Sequence, residues 1–196
     1  MRMLMFFLAV FFIARAHAWT IEKTQGTVKL AEGKKSPEVP LSGTEFKPGV
    51  TVTTGADGKA FIRDGESELW LAPKSQLFFK NAPDDENDLK GQFEVKVGKV
   101  RAKFKRPSGP VSFSYEVRAK SVIASVRGTE FIVLFEEKEE RVATFEGSVR
   151  VTSLKSAAES WDVPAGRALV VKPNEMPKVR DTSGDSKKSL TEATTF

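Results

Sequence analysis

The sequence predicts an all-β fold, built of short strands in a sandwich or a short β-solenoid, and three observations predict it. Apolar and polar residues alternate over short runs bounded by Gly, Pro, Asp and Asn, the period-two signature of strands with one buried face. Beyond the first 18 residues no window of 12 or more carries a helical stripe. Asp64-Gly65 stands between Ala60-Phe61-Ile62 and Leu69-Trp70-Leu71, and this pair suits the positive backbone angles of a tight hairpin.

The chain opens with Arg2, an apolar run from Met3 to Ile13, and Ala16-His17-Ala18. A charged start, a short apolar stretch and a small-x-small site read as a secretory signal peptide over residues 1–18. The apolar run is too short to span a bilayer, which needs roughly 20 residues, so no transmembrane helix is expected after processing. Arg15, just before the cleavage motif, keeps a retained anchor as the alternative. The expected location is the periplasm.

After the signal, the pattern predicts strands at 26–31, 50–54, 59–63, 68–72, 76–80 and 92–97. Further strands are expected at 99–105, 111–118, 121–126, 130–135, 141–145, 148–154, 160–163 and 168–172. The run Phe131 to Phe135 is apolar at every position. A strand apolar on both faces belongs at the centre of a fold. Asp84 to Asp88 forms an acidic loop without the spaced ligands and glycine of a calcium loop, so a solvated loop is the simpler reading. Gly26 to Val52 and Gly147 to Val170 share the order strand, polar connection, glycine, strand, a weak internal repeat that would fit stacked units. The second Gly-Thr-Glu-Phe, Gly43 to Phe46, has flanks unlike those at Gly128 and is read as coincidence. After Pro173 the chain mixes Pro, Asn, Ser, Thr, Asp and Lys, too polar to repay the entropy of ordering. The expected division is therefore 1–18 signal, 19–173 one β domain, and 174–196 a flexible tail.

Composition narrows the chemistry. The chain has one histidine, His17, and no cysteine; cleavage after Ala18 removes the histidine. What remains has no imidazole base, no thiolate nucleophile, no zinc site of the common ligand types and no disulfide. The close carboxylate pairs, Glu66 with Glu68 and Glu137 with Glu139, sit in charged turns, without the shielding that raises a proton affinity. No enzyme activity and no cofactor are expected. Loss of Arg2 and Arg15 lowers the net charge from +5 to +3, too little to argue for nucleic acid. A protein or cell-envelope partner is expected instead, and the oligomeric state is open.

Two constellations could bind it. Lys99, Arg101, Lys103 and Lys105 alternate with Val100, Ala102 and Phe104, which puts four cations on one strand face. They form either a stripe for an anionic partner, such as an envelope polysaccharide or an acidic protein patch, or a solvated face whose lysines deter edge pairing. The second is Ser125-Val126-Arg127-Gly128-Thr129-Glu130-Phe131, followed by Phe145-Glu146-Gly147-Ser148-Val149-Arg150-Val151. Arg127, Gly128 and Glu130 could meet a partner. Alternatively, Arg127 pairs with Glu130 or Glu146, Gly128 makes a bend between strands, and Thr129 satisfies backbone groups there. Trp19, Trp70 and Trp161 could stack on sugars, but core packing is the simpler reading.

The second constellation resembles the core signature of the FecR domain: Val126-Arg127-Gly128-Thr129-Glu130-Phe131, the charged turn at 136–140, then Glu146-Gly147-Ser148-Val149. The resemblance covers roughly Trp19 to Pro173 and departs at Ala119-Lys120, where members often carry Thr-Pro. It implies an all-β periplasmic domain. Regulators of the iron-citrate type place a sigma-binding segment before a membrane helix; here only Met1 and Arg2 precede the apolar run. The resemblance therefore implies the family's fold and compartment without that output. Two functions follow: a secreted interaction module without catalysis, or a component of a FecR-type signalling pathway that needs a separate membrane partner. Anionic polysaccharide binding by the Lys99 to Arg106 strand is a third.

Overall fold

The computed structural model describes residues 18–81, 88–105, 112–126, 128–136, 138–182, 188, 192 and 194–196. The signal segment up to residue 17, Asp84 to Asn87 of the acidic loop, Arg106 and Arg127 lie outside these. Among the described residues sixteen strands follow one another: β1 (Trp19–Gln25), β2 (Val28–Glu32), β3 (Thr44–Phe46), β4 (Val50–Thr54), β5 (Lys59–Asp64), β6 (Ser67–Leu71), β7 (Gln76–Asn81) and β8 (Asp88–Lys103). The rest are β9 (Ser112–Arg118), β10 (Val122–Val126), β11 (Glu130–Glu136), β12 (Glu139–Glu146), β13 (Ser148–Ser153), β14 (Ser160–Pro164), β15 (Arg167–Val171) and β16 (Lys178–Asp181).

The strands make two layers that share β8. Sheet A runs β3-β1-β5-β6-β8-β11-β12-β15-β16, and sheet B runs β2-β4-β7-β8-β9-β10-β13-β14. The first part of β8, to Val97, pairs with β7 and β9 in sheet B; from Gly98 it pairs with β6 and β11 in sheet A. Pairing is antiparallel throughout the described ladders except between β8 and β9. Hairpins β5–β6, β11–β12 and β15–β16 lie in sheet A, while β9–β10 and β13–β14 lie in sheet B. The chain changes layer at corners where Gly26, Gly98, Gly128, Gly147 and Gly166 take positive φ. At Gly98 (φ +91°) a Cβ would also sit 2.5 Å from Ser75 Cα, so both conformation and space require glycine there.

One continuous core fills the space between the layers. Trp19 of β1 packs its ring 5.5 Å from Phe79 and 5.4 Å from Phe93, and Phe93 continues the contact to Phe104 at 5.7 Å. All four are about 1% exposed, and burial of rings of this size is the main stabilising term of such a core. Phe131 to Leu134 are buried on both faces in the middle of sheet A, as the uninterrupted apolar run predicts.

The all-β class is as expected, with corrections to its elements. The segments 92–97 and 99–105, read as two strands, form the single long β8, because Gly98 turns the ladder from one layer to the other without ending it. Strands β1, β3 and β16 are additional. β16 lies beyond Pro173, in the segment read as a flexible tail: it pairs along β15, Val179 packs on the core and Asp181 meets Arg167 at 3.0 Å. Backbone pairing and one apolar contact suffice for an edge strand. The internal repeat does not hold in three dimensions. β2 pairs with β4 in one layer, whereas β13 and β15 fall in different layers; the recurring unit is the glycine corner. Gly43 (φ +87°) and Gly128 (φ +63°) both precede a Thr-Glu-Phe whose Phe is buried, so the two runs share a local geometry despite their unlike flanks.

Candidate functional site

Strand parity builds a mixed aromatic and charged row on the outside of sheet A. Ala60, Ile62, Leu69, Leu71, Val100, Ala102, Phe131 and Val133 all belong to the core, so the residues between them face outward. Register aligns these: Lys23 lies opposite Phe61, Phe61 opposite Trp70, Trp70 opposite Arg101, and Arg101 opposite Ile132. The row continues through Ala143 and Ala168 to Arg180.

Its centre is a stack of rings and cations. Phe61 and Trp70 lie face to face, 5.2 Å between centroids and 17° between planes. The Arg63 guanidinium sits 5.1 Å from the Phe61 ring and that of Arg101 4.6 Å from Trp70. Each such contact contributes about 0.5–2 kcal/mol, more as water is excluded. Arg101 Nε donates to Glu130 Oε1 at 2.8 Å and a terminal nitrogen donates to the same oxygen. Their side chains are 20% and 14% exposed, so this pair is largely sheltered and its rupture would strand a charge. Lys103 Nζ adds a 4.0 Å contact to Glu130, and Glu68 holds Arg63 at 3.1 Å.

The sequence-predicted residues are distributed accordingly. The structure brings together Arg101, Lys103 and Glu130. Lys105 pairs with Glu66 at 3.2 Å in an exposed contact at the β5–β6 turn. Lys99 is half-buried; burial pulls its ammonium below the usual lysine range, against the attraction of Glu136. The expected stripe of free cations is thus corrected to three paired cations and one partly desolvated. An anionic polymer would have to displace these carboxylates, which removes the observation behind the polysaccharide reading. Glu130 takes Arg101 as a partner, 29 residues away; Arg127, expected to pair with Glu130 or Glu146, lies outside the described residues. Gly128 makes the corner between β10 and β11. Thr129 is 3% exposed, and its hydroxyl finds no partner among the described residues; the Thr129 methyl instead lies 2.8 Å from where a Cβ on Gly147 would stand. Sequence reasoning did not join Phe61 to Trp70, although the parity of Ala60, Ile62, Leu69 and Leu71 turns both outward.

Of the close carboxylate pairs, Glu137 lies outside the described residues. Glu66, Glu68 and Glu139 each meet a cation. Glu140, 7% exposed, accepts from Ser121 N at 2.9 Å and Ser121 Oγ at 2.7 Å, fastening the start of β10 to β12. Beside it a groove of about 670 Å³ opens between the layers, lined among others by Phe135, Trp161, Val171 and Met176.

The FecR protein family profile matches residues 50–150, just over half of the chain and inclusive of the strands that carry the ring stack and Glu130. The chain belongs to the FecR family. No curated protein matches this FecR chain. Two crystal structures of a candidate anti-sigma factor from Parabacteroides distasonis, at 1.65 and 2.50 Å resolution, share its fold. Each has a TM-score of 0.58 at 13% identity over 72% of the FecR chain. The FecR chain covers 64% and 63% of those two chains. At this identity the likeness is one of fold. Among the described residues no helix is long and apolar enough to cross a membrane.

Proposed function

We propose that this FecR protein is an exported protein-binding component of a FecR-type signalling pathway, docking a protein partner through the outer face of sheet A and catalysing no reaction. Family membership supports the signalling class. The Phe61–Trp70–Arg101 row carries the choice of face: half-buried aromatic rings and an arginine, flanked by ion pairs, are the composition that concentrates binding energy at protein interfaces. The outer face of sheet B has no comparable stack among the described residues and carries exposed pairs such as Arg150–Asp162. Export is supported by the signal-like pattern of residues 1–18 in the sequence. β1 starts at Trp19, the residue after the predicted cleavage site, and Trp19 is a core residue.

The test is partner capture from the native host after crosslinking in cells, with variants of both faces. Trp70→Ala should reduce capture roughly 30-fold, the effect of losing a hot spot of about 2 kcal/mol. Arg150→Ala should leave capture unchanged. Capture that survives Trp70→Ala and Phe61→Ala together would overturn the docking face. Recovery of the protein from the cytosol with Met1 intact would overturn export.

A further inference from the structure

The groove beside Glu140 is where the inward-facing rows of both layers run out of core. In sheet A the inward parity of β11, β12 and β15 passes from Val133, Val142 and Leu169, all core residues, to Phe135, Glu140 and Val171. Register sets these three side by side, Phe135 opposite Glu140 and Glu140 opposite Val171. From sheet B, Trp161 shares the inward parity of the buried Val163 and lines the same groove. Phe135, Trp161 and Val171 pack on the core yet are only partly buried, and the rim adds Leu154 and Met176, 38% and 82% exposed. The volume of about 670 Å³ falls within the roughly 300–1,000 Å³ of clefts that hold ligands.

Glu140 gives this apolar groove its chemistry. The side chain is more than nine-tenths buried, and among the described residues its partners are the amide and hydroxyl of Ser121, both neutral. A carboxylate offers about four acceptor sites, so the two bonds from Ser121 leave room for a further donor. A sheltered carboxylate is best stabilised by a cation. Two other carboxylates of the groove have cations already, Glu139 with Arg141 and Glu175 with Lys178. Five carboxylates and three lysines line the groove in all, a balance that favours a positive visitor. The apolar surface extends on both sides of Glu140 and out to Met176, further than one cationic group covers. Methionine at a rim adapts its shape to what lies against it.

We propose that this groove is a second protein-binding site, occupied by a segment of a partner protein that carries an arginine beside apolar side chains. The guanidinium meets Glu140, and the apolar side chains cover Trp161, Val171 and Met176. Arginine suits the site because its planar group both pairs with a carboxylate and stacks on aromatic faces. The groove uses no residue of the Phe61–Trp70–Arg101 row, so it stands or falls apart from the docking reading above.

Fluorescence anisotropy with the native protein tests this, using three labelled probes: a capped pentapeptide alternating leucine and arginine, the same peptide with glutamate for arginine, and arginine amide alone. The basic peptide should bind, and the acidic peptide and arginine amide should each bind at least ten-fold more weakly. Glu140→Gln should weaken the basic peptide roughly ten-fold, and Met176→Ala about five-fold. Met176 is exposed at the rim, so its variant carries the test if Glu140→Gln, which loosens the tie between β12 and β10, fails to fold. The Phe61→Ala, Trp70→Ala double variant should bind the peptide unchanged. No binding of the basic peptide overturns the site, and equal binding of the acidic peptide overturns the pairing with Glu140. Binding that is unchanged by Glu140→Gln and Met176→Ala, or lost in the Phe61→Ala, Trp70→Ala variant, puts the peptide elsewhere and overturns the groove. Arginine amide binding as tightly as the peptide overturns a protein segment as the occupant.

Discussion

At the scale of single residues, Tyr115 gives the sharpest consequence. Its ring lies 4.1 Å from that of Phe104, and burial pushes its phenol up to about 12, against a smaller opposing effect of its hydrogen bond with Ser67. A phenol that holds its proton more tightly when folded contributes stability that is complete below its unfolded value near 10 and lost as pH rises toward 12. The loss is about 3 kcal/mol for a shift of about two units. Urea unfolding at pH values of about 9, 11 and 12 should show this decline, and the difference between the native chain and Tyr115→Phe should isolate it from lysine titration. A parallel decline in both proteins would contradict it. The same scale shows where the sequence was readable. Alternation identified Arg101, Lys103 and Lys105 as one face. It could not show that Arg101 is neutralised by Glu130 or Lys105 by Glu66, because those partners arrive from elsewhere in the chain. Trp70 between Leu69 and Leu71 reads as part of an apolar run, and only the register with β5 and β8 shows it stacked outward between Phe61 and Arg101.

At the scale of elements, the corners carry the fold, and Gly98→Ala tests this. The change forces a side chain into positive φ and against Ser75, and should cost about 2–4 kcal/mol. Gly65, with φ +56° at the β5–β6 turn, has open space where a Cβ would stand, with nothing within 4 Å. Gly65→Ala should therefore cost about 1–2 kcal/mol, the conformational part alone. Urea midpoints of the two variants measure the contrast, and equal losses would remove the corner argument. Most strands were legible because their inner residues alternate cleanly, as in Val50, Val52 and Thr54. β1 was hidden by the apolar run that precedes it in the sequence. β3 has three residues, too few for a period to emerge, and β16 offers a single core contact, Val179. Each of these three is defined by a neighbour's backbone, which a local pattern cannot reveal.

At the scale of the whole molecule, a single core and a shared strand predict one cooperative unfolding event. The near-ultraviolet signal of Trp19, buried between Phe79 and Phe93, should be lost in step with the β-sheet signal across a denaturant series. Two separated transitions would show that the layers unfold independently. The all-β class and the central place of Phe131 to Phe135 were legible in composition and periodicity; the assignment of hairpins to layers was not, since it depends on corners whose direction no short segment encodes. The passage of β8 through both layers has a mechanical result. Covalent continuity bars the two layers from slipping past one another, so when a load is applied the molecule must give at its hems, by peeling of β2, β3, β14 or β16, while its middle stays sewn.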